Sequence, residues 1–68
     1  MTETQEKYLQ RLLIERRRRL VCAYKANDGL YYAVSRPAGQ RTAKYDQRHL
    51  LDLSCPGVVR IVETANND

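Results

Sequence analysis

Between Tyr8 and Leu20 the apolar residues Leu9, Leu12, Leu13 and Leu20 recur at helical spacing. At about 100° per residue they fall within one stripe roughly 100° wide, which predicts an amphipathic helix with a docking face. The start of that helix is legible upstream. Thr2 and Gln5 stand three apart as a capping box, while Glu3 and Glu6 suit the positive end of the helix dipole. Glu3 and Lys7 form an i, i+4 pair. The periodicity carries the helix through to Leu20, with Arg16 inside the apolar stripe.

Beyond Leu20 the period shortens to two. Val21 to Tyr24 and Leu30 to Val34 flank Asn27-Asp28-Gly29, which predicts a hairpin whose turn takes positive φ angles at Asp28-Gly29. The alternative is a helix continued to Ala26, with Gly29 as its stop signal. Alternation puts Leu30, Tyr32 and Val34 on one face and Tyr31, Ala33 and Ser35 on the other. We assign Tyr32 to the core and Tyr31 to contact.

Arg36-Pro37-Ala38-Gly39 reads as a turn, and Arg41 to Tyr45 as a short edge strand of low apolar content. Asp46 then stands as an N-cap, with Tyr45 and Leu50 as a hydrophobic staple, so a short helix is expected from Gln47 to about Ser54. Pro56-Gly57 stops it. Val58 to Val62 is rich in β-branched residues and reads as a strand, while residues 63–68 read as a frayed polar tail. The expected fold is one α+β domain over residues 1–68, with the long N-terminal helix lying on a small antiparallel sheet.

Length changes the picture next. A chain of 68 residues buries only about 60% of its unfolded surface and is marginal by itself. Two cysteines, Cys22 and Cys55, and one histidine, His49, are too few for a zinc site, and their spacing fits no metal motif. A homodimer is therefore the expected aid, with Leu9, Leu12, Leu13 and Leu20 at its interface. No apolar run approaches the ~20 residues that span a bilayer. The expected setting is the cytoplasm, with both thiols reduced and no membrane contact.

The net charge of +4 favours a partner with negative surface. On one continuous helix Arg11 and Arg18 share a face opposite the leucines, with Glu15 near enough to pair with Arg18 or Arg19. Arg11, Arg17 and Arg18 are thus candidates for a basic surface; a solvated face with local ion pairs is the competing reading. Catalytic signatures are lacking. His49 falls at the third position of the expected short helix as a surface imidazole, no serine or cysteine has a nucleophile context, and the three glycines are isolated turn residues. No enzyme activity and no cofactor is expected. Tyr31, with Arg36 and Arg41 on either side of the Pro37–Gln40 turn, has the composition of an interface anchor.

A very short chain, a helix that turns from acidic to basic and ends in Arg16 to Arg19, and the Tyr31-Tyr32 stretch together resemble the small early proteins of temperate bacteriophages. Among these the chain is most similar to the quorum-sensing anti-activator proteins of Pseudomonas phages. That resemblance covers the layout of most of the chain. It implies a small homodimer acting in the host cell, which occludes the DNA-binding domain of a LuxR-type transcription regulator and can also block the ATPase that drives type IV pilus assembly. The other class of function is a small basic DNA-binding regulator using Arg16 to Arg19 on phosphates. Salt dependence separates the two, because phosphate contacts weaken steeply with salt.

Overall fold

The computed structural model describes residues 1–66. Its elements are α1 (Glu3–Glu15), β1 (Arg18–Lys25), β2 (Tyr31–Pro37), a single 3₁₀ turn (Ala43–Tyr45), β3 (Gln47–Asp52) and β4 (Arg60–Asn66). The strands form one antiparallel sheet in the order β1-β2-β3-β4, each paired with its neighbour in sequence, and α1 lies across one face. The α+β class is as the sequence indicates.

The helix starts as its chemistry dictates. The Thr2 hydroxyl accepts from the Gln5 backbone N–H at 3.1 Å and the Gln5 side-chain oxygen accepts from the Thr2 N–H at 3.0 Å. The same Gln5 amide group donates to the carbonyls of Leu53 and Cys55, both at 3.3 Å. One side chain thus caps α1 and fastens it to the β3–β4 connection. Glu3 and Lys7 pair at 3.4 Å on the solvent side.

The end of the helix departs from the sequence reading. α1 stops at Glu15, with Arg16 as C-cap and Arg17 at φ +58°. Arginine and leucine are good helix formers, so nothing local stops the helix there. What stops it is β2: Arg18 to Lys25 pair along Pro37 to Tyr31, with a bulge between Leu20 and Cys22. The hairpin reading is therefore right over residues 20–26, and the strand takes two more residues from the helix. Its turn is closed by the Gly29 N–H on the Ala26 carbonyl at 3.0 Å. Only Gly29, at φ +83°, adopts a positive angle; Asp28 instead accepts from the Leu30 N–H at 2.9 Å.

Three further expectations are corrected. Arg41 to Tyr45 is a loop ending in the 3₁₀ turn, without strand pairing. The segment from Gln47 to Asp52 is the inner strand β3, in register with Tyr31 to Ser35 on one side and with Arg60 to Asn66 on the other. Asp46 is its entry residue, extended at ψ 143°; it closes the preceding 3₁₀ turn through its N–H on the Ala43 carbonyl and is not the N-cap of a following helix. The adjacent pair Leu50-Leu51 imitates a helical stripe, but sheet pairing points the two to opposite faces. Finally, residues 63–66 belong to β4 and are not frayed, while the last part of the expected tail, Asn67 and Asp68, lies outside the described residues.

The core sits between α1 and the sheet. Leu9, Leu13, Ala33, Leu51 and Val59 form it, with Tyr8, Leu20, Ala23, Tyr31, Leu53 and Ile61 packed around them. Leu9 and Leu13 are 0% exposed, so the leucine stripe is largely used on the chain's own sheet. Among the described residues no helix lies on the opposite face of the sheet.

Candidate functional site

Arg18 leaves the helix and enters β1 opposite Pro37, and this brings the arginine run against the loop between β2 and β3. The run is then held by that loop's backbone. The Arg17 carbonyl accepts from the Ala38 N–H at 2.9 Å, Arg19 donates to the Gln40 carbonyl at 3.3 Å, and Arg18 donates to the Tyr45 carbonyl at 2.9 Å. Arg36 reaches the Arg41 carbonyl at 3.4 Å. Lys44 lies 5.4 Å from the centre of the Tyr45 ring. Arg16 to Arg19, Arg36, Arg41 and Lys44, seven of the chain's twelve basic residues, therefore sit at one end of the sheet. An open cleft of about 390 Å³ at this end is lined by Arg18, Pro37, Gln40, Lys44, Tyr45 and Gln47, with Asn66 at its rim.

The charges of this basic pole are poorly neutralised. Asp46 is the carboxylate that pairs there, and it is taken by Arg36, Nε to Oδ1 at 2.7 Å and Nη2 to Oδ2 at 3.1 Å. That fork holds the Asp46 carboxyl below its ordinary value, chiefly through the Arg36 hydrogen bonds, with Arg19 and Arg18 adding to the effect. Among the described residues no carboxylate lies within ion-pair distance of Arg16, Arg17, Arg19, Arg41 or Lys44, and all five are exposed. Glu15 does not pair with Arg18 or Arg19, because the helix has ended between them.

The expected site residues are thereby redistributed. Arg41 and Arg17 lie exposed at the pole. Arg18 is turned inward: its Nε donates to the Ser35 hydroxyl at 2.8 Å and its Nη2 to the Ser35 carbonyl at 3.2 Å. Arg11 remains on the exposed side of α1, apart from Arg18. Arg36 is half-covered and committed to Asp46. The two tyrosines exchange roles. Tyr31 packs against the core, whereas Tyr32 lies on the uncovered face, stacked on Tyr24 with centroids 5.8 Å apart, under the Arg48 guanidinium at 5.1 Å. The two alternating sets do lie on opposite faces of the sheet, and the helix covers the one that holds Ala33 and Ser35, both 0% exposed. The Tyr32 hydroxyl donates to Asp28 at 2.9 Å, which raises the phenol's pKa; the Asp28 carboxyl is lowered, first by the Leu30 N–H and then by Tyr32.

A polar chain runs through the core beside the pole. His49, expected on a surface, is 0% exposed. Its Nε2 lies 2.6 Å from the Ser35 hydroxyl and its Nδ1 2.9 Å from the Thr64 hydroxyl. Since Arg18 can only donate to Ser35, the arrangement that satisfies every proton has Ser35 donating to Nε2 and Nδ1–H donating to Thr64. Burial first, then Arg18 and Arg16, push the imidazole below its ordinary pKa. A serine beside a histidine has the composition of a nucleophile and base, but both side chains are fully covered, and their geometry ties β1, β2, β3 and β4 together. The sequence signal for this chain was the i, i+2 spacing of Gln47, His49 and Leu51, hidden by the leucine pair. No group of three or more metal-ligating side chains occurs among the described residues. Among the described residues no helix is long and apolar enough to cross a membrane.

No family model, no curated protein and no solved structure matches this chain.

Proposed function

We propose that this chain is a small inhibitor that works without catalysis, in the host cytoplasm, by seating its basic pole on a host protein and covering that protein's working surface. The observation that carries the reading is the cluster of Arg16, Arg17, Arg19, Arg41 and Lys44, exposed, unpaired by carboxylates among the described residues, with the arginine run anchored to the loop by the Ala38 N–H on the Arg17 carbonyl and by Arg19 on the Gln40 carbonyl. A surface of that kind is complementary to carboxylates on a partner and is preorganised to meet them. In keeping with the resemblance to phage anti-activators, the first target is the DNA-binding domain of a LuxR-type regulator and the second the pilus-assembly ATPase. The chain is further proposed to act as a homodimer. With Leu9 and Leu13 already in the chain's own core, the second copy is assigned to the uncovered sheet face around Tyr24, Tyr32 and Leu50 rather than to the helix stripe.

The test is binding of purified chain to a LuxR-type DNA-binding domain, with Arg17→Glu, Arg41→Glu and Lys44→Glu combined. Loss of binding with an unchanged melting temperature supports the proposal; retained binding refutes it. The same exposed cations also support a second reading, in which the pole holds DNA phosphates. Duplex binding whose affinity falls with salt by a slope of about 0.9 per phosphate contact, with no binding to the regulator, decides for that reading.

A further inference from the structure

β1 is an edge strand. β2 takes one side of it, and among the described residues no strand lies along the other. Its sequence has cations at both ends, an apolar middle and no proline, and Val21 and Tyr24 are both exposed. Such an edge presents a row of unpaired backbone N–H and C=O groups. Beside it α1 leaves a groove of about 430 Å³, with Glu6 and Gln10 on the helix side and Leu20, Ala23 and Tyr31 among the residues of the sheet side. Past Leu20 a second depression of about 200 Å³ adjoins Ile14 and Arg19.

An unprotected edge would pair with its own copy, and here charge opposes that. β1 holds Arg18, Arg19 and Lys25 and no carboxylate. If two β1 strands paired antiparallel about a twofold axis between Val21 and Cys22, Arg18 of each copy would face Lys25 of the other. Like charges directly opposite destabilise a strand pair, and the bulge between Leu20 and Cys22 disturbs the ladder further. The same cations attract a strand that carries carboxylates at its ends.

We infer that the free edge of β1, with the groove between it and α1, binds an extended segment of a partner protein as a fifth strand. The segment has a β-branched, apolar centre and carboxylates at both ends. Backbone hydrogen bonds along β1 supply affinity, alternate side chains enter the groove over Leu20 and Ala23, and Arg19 and Lys25 select the acidic ends. The site shares Arg19 with the basic pole, whereas Leu20 to Lys25 lie outside it, so the inference stands apart from the pole's proposed role.

The probe is a nine-residue peptide with alternating valine and threonine at its centre and two aspartates at each end. One control replaces the aspartates by lysines, and another keeps them but places proline at two central positions. Each is titrated into the isotopically labelled full chain while backbone amides are followed by NMR. The acidic peptide is expected to shift the amides of Leu20 to Lys25 saturably and to slow their hydrogen exchange, with neither control doing so. Arg19→Glu combined with Lys25→Glu should weaken the acidic peptide about tenfold and admit the lysine peptide, at an unchanged melting temperature. The inference is overturned if β1 amides do not respond, if the lysine or proline peptide binds equally, or if shifts stay within Arg16 to Arg19 and Arg41 to Tyr45. It is also overturned if dilution of the free chain alone moves the β1 amides, which would make a second copy the occupant.

Discussion

Replacing His49 by leucine tests the buried polar chain, because it keeps volume while deleting both hydrogen bonds and the titration of the imidazole. At pH 7 His49 is neutral, accepting from Ser35 at 2.6 Å and donating to Thr64 at 2.9 Å. Each bond contributes about 1 kcal/mol net, so His49→Leu should cost about 2 kcal/mol there. The cost is held down because Ser35 keeps Arg18 as a donor and Thr64, on an exposed part of β4, can turn to water. Acid changes the comparison. The imidazole's pKa is lowered in the fold from its ordinary value of 6.5, so below that value the unfolded chain binds a proton that the folded chain resists. Stability from His49 is therefore fully present above pH 6.5 and is lost as pH falls toward the folded pKa. The limiting slope is about 1.4 kcal/mol per pH unit. Thr64 lies on an exposed part of β4, so solvent screens part of the charge and the fall in stability is expected to be gentler than that limit. Urea unfolding followed by far-ultraviolet circular dichroism at pH 7, 6 and 5 measures this directly. The native chain should weaken over that range while His49→Leu stays nearly level, so the two converge. Equal slopes in both proteins, or a native chain indifferent to pH above 5, would falsify the assignment of a neutral, hydrogen-bonded His49.

Other perturbations probe separate parts of the fold. Arg17 stands at φ +58°, a region costing a side-chain-bearing residue about 1 kcal/mol or more, so Arg17→Gly should raise stability by about 0.5 to 1 kcal/mol; a lower melting temperature would show that the Arg17 side chain matters more than its backbone. Gln5→Ala should cost about 2 kcal/mol by removing the reciprocal half of the capping box and both bonds to the Leu53 and Cys55 carbonyls. Gln5→Glu should not recover stability in thermal melts at pH 7, although glutamate serves well in capping boxes, because a carboxylate cannot donate to those carbonyls. Arg36→Ala should lower the melting temperature more than Lys7→Ala, since it strands the nearly covered Asp46, whereas Lys7 and Glu3 are both exposed. It should also remove a separate acid limb: the depressed Asp46 carboxyl contributes stability present above its ordinary value of 3.8 and lost as pH falls below it.

Local chemistry is enough to account for several elements of this fold. Thr2 and Gln5 form the capping box because their spacing alone closes it, Gly29 makes the turn because it alone there accepts a positive φ, and Tyr31 to Val34 are extended because aromatic and β-branched side chains favour a pleated surface. The parity of that strand was legible too, though not which parity is inside. Tertiary structure decided the rest, and in each case the reason is that competing local states lie within a fraction of a kcal/mol per residue of one another. Arg16 to Leu20 suit a helix until Arg18 finds Pro37; Gln47 to Asp52 suit a helix until two strands pair with them at once. The roles of the arginines follow from those pairings. Arg18 is structural because β1 delivers it to Ser35, Arg36 because Asp46 meets it, and Arg17 and Arg41 are free for a partner because only their backbone carbonyls are engaged, by the Ala38 N–H and the Arg36 guanidinium. A charge in a sequence has a sign, but whether it faces a partner is settled by contacts between residues far apart along the chain.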